Sequence, residues 1–160
     1  MAAVKVILHC DLDCFYAQVE RERLGLPQNA SIAVVQWSMA LAVSYPARKY
    51  GISRGSSVDD IRKAAGDNVT IVPVETIGGG SAEPRSNQNH PDLVNLRFTG
   101  VQATEKVSLA RYRNASSQVF AAMAEVLSGY DAKLERASID EAYIDVTVEV
   151  DRRPSRTLQL

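Results

Sequence analysis

Over Val4 to Asp11 the residues alternate, with Val4, Val6, Leu8 and Cys10 on one face and Lys5, Ile7 and His9 on the other. A period of two predicts a strand with one apolar side. Asp13 is placed to cap a following helix from about Cys14 to Leu24, with Phe15 and Val19 sharing its buried face and Gly25 and Pro27 ending it. Ser31 to Gln36 and Leu41 to Ser44 read as short strands linked tightly through Trp37 and Ser38, which predicts a hairpin. Ser44 to Gly51 reads as a short helix, since Pro46 is tolerated in a first turn and Gly51 closes it. Ser57-Val58-Asp59-Asp60 resembles a capping box with Asp in place of Glu, and starts a helix to about Ala65 with Val58, Ile61 and Ala65 inward. Val69 to Val74 is a further strand.

From Thr76 to about Val101 the apolar period stops. Gly78-Gly79-Gly80-Ser81, Pro84, Asn87, Asn89 and Pro91 make a polar, flexible stretch, read as an insertion. The glycine run could cradle a phosphate, yet no Lys-Ser or Lys-Thr follows it. Leu109, Tyr112, Ser116, Val119, Met123 and Val126 fit a helical period and predict a long helix from about Glu105 to Leu127, ended by Gly129. Lys133 to Ala137 and Ala142 to Val148 then read as a strand hairpin with Ser138 to Glu141 at its turn. From Asp151 to Leu160 there is no period. The order predicts an α+β fold: a split sheet covered by helices on one face, with a smaller α/β lobe over about residues 25 to 75 inserted into it.

Composition changes this picture little. The chain has 160 residues, 46% of them hydrophobic and 23% charged, with a net charge of −1. That suits one globular domain or one lobe of something larger. A strongly basic chain would point to nucleic acid; here such binding must rest on local patches. The two cysteines, Cys10 and Cys14, lack a second ligand pair at zinc-finger spacing, and the histidines are His9 and His90. They read as reduced thiols of an intracellular protein. No stretch approaches the ~20 apolar residues of a membrane span.

Chemistry enters with the acids. Asp11 and Asp13 stand where the first strand stops, and Asp140-Glu141 stands at the later hairpin turn. If the strand and hairpin are neighbours in one sheet, Asp11, Asp140 and Glu141 lie at the same end of it. Carboxylates crowded together without His or Cys are hard oxygen ligands suited to Mg²⁺ or Mn²⁺. On periodicity alone a plainer reading stands beside this one: Asp13 is a helix cap and Asp140-Glu141 a polar turn.

Three segments occur in order: Asp11-Leu12-Asp13-Cys14-Phe15-Tyr16-Ala17-Gln18-Val19-Glu20; Ala42-Val43-Ser44-Tyr45-Pro46-Ala47-Arg48 with Gly51-Ile52-Ser53-Arg54; and Ala137-Ser138-Ile139-Asp140-Glu141-Ala142-Tyr143. Together they resemble the Y-family translesion DNA polymerases, most of all the eta class, over roughly residues 4 to 75 and 105 to 148. The resemblance implies an incomplete split-βαβ palm over 1-15 and 103-150, with inserted α/β fingers over 16-75. Residues 76-102 would be a flexible insertion and 151-160 an irregular tail. It further implies deoxynucleotidyl transfer on primer-template DNA with deoxynucleoside triphosphates and two Mg²⁺ ions, Mn²⁺ being a substitute, in the nucleus. Asp11, the Leu12 carbonyl, Asp140 and Glu141 would be the metal ligands. Tyr16 would be the steric gate against a ribose 2′-OH, Phe15 its neighbour in the nucleotide-binding set, and Tyr45, Arg48 and Arg54 the residues that hold the incoming nucleotide.

One departure accompanies the resemblance. Family members continue past the acid-pair hairpin into a thumb and a DNA-gripping little-finger domain, so this chain is expected to be a truncated segment. An alternative follows, a catalytically incompetent fragment that binds nucleotide, metal or a partner only. No sliding-clamp peptide or ubiquitin-binding zinc motif is visible. A third reading, Asp11 and Asp13 as the acids of a haloacid-dehalogenase-like phosphatase, leaves Tyr45 and Arg48 unexplained.

Overall fold

A computed structural model describes residues 4–78 and 105–152. Most of the expected insertion, with Gly79 to Ser81, and the tail from 153 lie outside the described residues. The described elements are mixed: β1 (Ile7–Asp11), α1 (Phe15–Arg23), β2 (Ile32–Gln36), β3 (Met39–Val43), α2 (Tyr45–Arg48), α3 (Val58–Ala65), β4 (Thr70–Pro73), β5 (Thr76–Gly78), β6 (Glu105–Val107), α4 (Ala110–Leu127), β7 (Lys133–Arg136), β8 (Glu141–Asp145) and α5 (Thr147–Arg152). The expected α+β class is met. The chain divides into two compact units, one made of the residues up to Leu12 together with Arg113 onward, the other of Asp13–Tyr112.

In the second unit the strand order is β3-β2-β4, with β3 antiparallel and β4 parallel to β2. Ile32, Ala33, Val34 and Val35 of the central strand are all buried. A strand covered on both faces reads as a continuous apolar run, as this one does. Ala33 and Val35 join a core with Val43, Ala47, Ile52 and the α3 residues Val58, Ile61 and Ala65. Alternation turns Ile32 and Val34 to the other face, and α1 packs against β2 and β3. The hairpin link is Trp37-Ser38 as expected; Trp37 sits at φ 57°, a left-handed conformation that costs a bulky residue about 1 kcal/mol. Tyr45–Arg48 follows Ser44, with Pro46 in the first turn and Gly51 at φ 76° beyond it.

The first unit holds the antiparallel sheet β1-β8-β7. Ala142 is buried, while Ile7 and Leu8 are about half exposed, so β1 lacks the firmly apolar side expected of it. The expected strand to Val148 ends at Asp145 instead. The Asp145 carboxylate accepts the Thr147 N–H at 3.0 Å, and the Thr147 hydroxyl accepts the Val6 N–H at 2.9 Å, so the chain leaves the ladder and starts α5. Asp151 and Arg152 complete that helix and are not irregular.

Two further expectations are corrected. Thr76–Gly78 is not loop, and Glu105–Val107 is not helix; they pair antiparallel, so α4 begins at Ala110. Tertiary strand pairing overrides local helix preference there. Val126, placed inward by period, is instead 69% exposed.

Ser57 caps α3 as expected: its Oγ accepts the Asp60 N–H at 3.1 Å and donates to the Asp60 carboxylate at 2.7 Å. That hydroxyl holds the Asp60 carboxyl below its ordinary range. Ser57→Ala is expected to cost about 1 kcal/mol in chemical denaturation. The Asp60 contribution has a definite sign. It is present above the usual carboxylate range near pH ~4 and is lost as pH falls through the lowered folded value, so Ser57→Ala should flatten the acid limb of stability.

Candidate functional site

The expected site residues fall into both units, and each group stands in its own surroundings. In the first unit the antiparallel register sets Asp11 opposite Glu141, with Cys10 opposite Ala142 and His9 opposite Tyr143. The Leu12 N–H donates to the Asp140 carbonyl at 2.9 Å, which carries the ladder one step past the last strand pair. Directly opposed residues share a sheet face. Asp11 and Glu141 therefore project together at one end of the sheet, and Asp140 lies in the turn just before β8.

Each member of the acid pair already has a partner. The Ser138 hydroxyl donates to Asp140 Oδ1 at 2.8 Å and accepts the Asp140 N–H at 3.2 Å. Glu141 Oε1 lies 3.3 Å from His9 Nε2, and the His9 ring stacks on Tyr143 with centroids 4.9 Å apart. Behind the turn, the buried Ser116 hydroxyl of α4 donates to the Ile139 carbonyl. Arg136 donates to Ser116 Oγ at 2.6 Å and to the Ser138 carbonyl at 3.0 Å, with its guanidinium over the Phe120 ring. The turn carrying the acids is thus fixed by side chains on both flanks.

Among the described residues no three His, Cys, Asp or Glu side chains gather closely enough to hold one metal ion. The structure brings Asp11 and Glu141 together and leaves Asp140 bound to Ser138. The donor chemistry nevertheless fits a hard cation, since the expected ligands are all oxygens.

In the second unit Cys14 precedes α1 at φ 47°, a left-handed turn that swings the chain from Asp13 into the helix. The Cys14 carbonyl accepts the Ala17 N–H at 2.8 Å, and no side chain caps the helix. Asp13 is therefore not the cap expected of it. Its carboxylate instead accepts the Tyr45 hydroxyl at 2.7 Å. The Arg48 guanidinium lies 4.3 Å over the Tyr45 ring, and Arg48 also reaches Cys14 Sγ at 3.3 Å. Tyr45 and Arg48 come together, both exposed, beside a cleft lined by Asp13, Cys14, Gln18, Ser44 and Tyr45. Arg54 is exposed in the turn before Gly55. Phe15 is 5% exposed and packs in the core, so it offers little surface to a ligand. Tyr16 is half-buried, its ring stacked on Tyr112 with centroids 4.0 Å apart.

Sequence reasoning missed His9, Tyr112 and Glu20. His9 was legible in retrospect, since it stands two residues before Asp11 on the same strand face. Tyr112 was placed on the inward face of its helix, but nothing in the spacing paired it with Tyr16.

A family model described as the impB/mucB/samB family matches residues 10–157. DNA polymerase eta of Saccharomyces cerevisiae is 34% identical over 148 residues, 91% of this chain and 22% of that protein. DNA polymerase eta of Arabidopsis thaliana is 34% identical over 148 residues, covering 89% of this chain and 17% of that protein. A Schizosaccharomyces pombe protein named N-acetyltransferase eso1 is 33% identical over 150 residues, 93% of this chain and 15% of that protein. The chain belongs to the impB/mucB/samB family of Y-family polymerase domains, and the resemblance carried by the three ordered motifs is borne out. It spans less than a quarter of the length of these relatives. Among the described residues no helix is long and apolar enough to cross a membrane.

The Tyr45 hydroxyl is pushed above its ordinary value, first by its hydrogen bond to Asp13 and then by the charge of that carboxylate. The stabilising contribution is present below the ordinary phenol value near pH ~10 and is lost as pH rises through the raised folded value. Asp13→Asn should move the Tyr45 titration to lower pH, read from phenolate absorbance against a Tyr45→Phe reference. An unchanged titration would show that the Asp13 contact does not form in solution.

Proposed function

We propose that this chain is the catalytic segment of a translesion DNA polymerase, adding deoxynucleotides to a primer end in the nucleus during replication past DNA damage. The observation that supports this best is the β1–β8 register, which sets Asp11 opposite Glu141 at a sheet end in a chain of this family. In this reading, residues 1-15 and 103-150 serve as palm and 16-75 as fingers.

Asp11, the Leu12 carbonyl, Asp140 and Glu141 would hold two Mg²⁺ ions, or Mn²⁺ in their place. Bound there, the ions would activate the primer hydroxyl and neutralise charge on the leaving pyrophosphate. The remaining work is positioning. Arg48 presents a planar fork of donors suited to bidentate phosphate contacts, and Tyr45 adds a hydroxyl donor. Their mutual stacking gathers both groups at one place, where a triphosphate would compete with Asp13 and Cys14 for them. Arg54 adds a cation towards the nucleotide. Tyr16 discriminates by repulsion: its ring occupies the space a ribose 2′-OH would need. The partners are primer-template DNA and deoxynucleoside triphosphates.

The test is primer extension opposite a cyclobutane thymine dimer with Mg²⁺. Asp140→Ala and Glu141→Ala are each expected to lower the rate by about 10²-fold or more, the loss of several kcal/mol of charge stabilisation. Unchanged rates in both variants would sink the metal-ligand assignment. Extension by the 160-residue chain alone would exclude the reading in which it only binds nucleotide, metal or a partner.

A further inference from the structure

Behind Tyr16 lies a buried ionic group that the proposed chemistry does not use. Glu20 stands four residues after Tyr16 on α1, on the same helix face, and its side chain is fully buried. Its carboxylate accepts from Arg23 Nε at 2.6 Å, from Arg111 Nη1 at 2.9 Å and from the Tyr112 hydroxyl at 2.8 Å. Arg111 reaches on to Glu75 Oε1 at 3.5 Å. Tyr112 is itself fully buried, and its ring lies nearly parallel to that of Tyr16, 13° between planes.

A carboxylate removed from water this completely is retained only with several strong partners. Here the partners converge on one outcome: the bond to Glu20 fixes the tip of the Tyr112 side chain, and full burial of the ring disfavours turning its plane. Tyr16 by contrast is half-buried, and its ring orientation depends on what it lies against. Stacking on a fixed ring selects one orientation and disfavours the others.

We propose that Tyr112, locked by Glu20, is the positioning residue that holds the Tyr16 ring in its sugar-excluding orientation, so that deoxyribose selection depends on the buried Glu20–Arg111–Tyr112 group. The idea rests on the reading of Tyr16 as the gate. Tyr112 and Glu20 touch no substrate; they act through Tyr16.

Two measurements on the full chain test it. The first is the ratio of deoxyribonucleoside to ribonucleoside triphosphate affinity, by equilibrium titration. The second is the fluorine line shape of a fluorotyrosine placed at position 16, which reports ring motion whether or not nucleotide is present. Tyr112→Leu should lower the deoxyribose preference about two- to tenfold towards the Tyr16→Ala value, with deoxynucleotide affinity nearly unchanged, and should sharpen the fluorine signal. Tyr112→Phe keeps the ring but loses the bond to Glu20, and Glu20→Gln removes the charge that gathers Arg23, Arg111 and Tyr112, so both should fall between the wild type and Tyr112→Leu. Combining Tyr16→Ala with Tyr112→Leu should add no further loss, since both remove one device. If Tyr112→Leu does not fold, Tyr112→Phe and Glu20→Gln carry the comparison. A folded Tyr112→Leu, or failing that a folded Glu20→Gln, with wild-type preference and wild-type line shape would overturn the proposal. Tyr16→Ala with unchanged preference would instead remove the gate itself; the fluorine signal would still report whether Tyr112 fixes the ring.

Discussion

The first unit depends on one backbone ladder, the antiparallel pairing of β1 with β8. Residues that are far apart in the chain become neighbours only through it, and its register decides which acids share a face. A slip by a single residue would turn Glu141 away from Asp11 and bring Asp140 to its side. The register is held at both ends by contacts outside the strands. At one end the Leu12 N–H meets the Asp140 carbonyl, and at the other the Thr147 hydroxyl takes the Val6 N–H. Hydrophobic burial contributes less here than usual, since Ile7 and Leu8 are each about half exposed. Polar pinning therefore does what a buried face does in most sheets.

The second unit is built the opposite way. Ile32 to Val35 of its central strand are buried, and Ala33 and Val35 join an apolar core. Glu20 of the same unit is a buried charge. One buried charge surrounded by Arg23, Arg111 and Tyr112 contributes little net stability, because desolvation offsets most of the Coulomb attraction. What it supplies is uniqueness of arrangement, since an unpaired partner in that place would be far more costly than the pair is favourable. Such a group suits a role in orientation better than a role in holding the fold.

Much of this was legible in the sequence where local rules act alone. The Trp37-Ser38 hairpin, the Ser57 cap and the inward triad Val58, Ile61 and Ala65 all follow from spacing within a few residues. The acid motifs were legible because each is short and the three occur in order. What could not be read was set by partners distant in sequence. Glu105–Val107 has helix-compatible residues and becomes a strand only because Thr76–Gly78 lies beside it. Asp13 has the ideal chemistry for a helix cap, but the left-handed turn at Cys14 takes it out of line and Tyr45 claims it. Strand alternation from Ala142 onward continues to Val148 on paper, while the Asp145–Thr147 hydrogen bond diverts the chain earlier.

In the proposed metal-binding role, the acids at the sheet end would be held ready without being locked. Glu141 leans on His9, and Asp140 on Ser138. Both contacts are partly exposed, and interactions of that kind are worth about 1 kcal/mol or less. A divalent cation offers several times more to a carboxylate that it ligates, so in the proposed role it would displace such partners at small cost. Stronger partners, of the sort that surround Glu20, would have made the acids unavailable. The contrast between the two settings is therefore chemical rather than accidental: the buried carboxylate is saturated by cationic and phenolic donors and keeps one geometry, whereas the acids at the sheet end keep weak, partly exposed neighbours, as the proposed metal role would require.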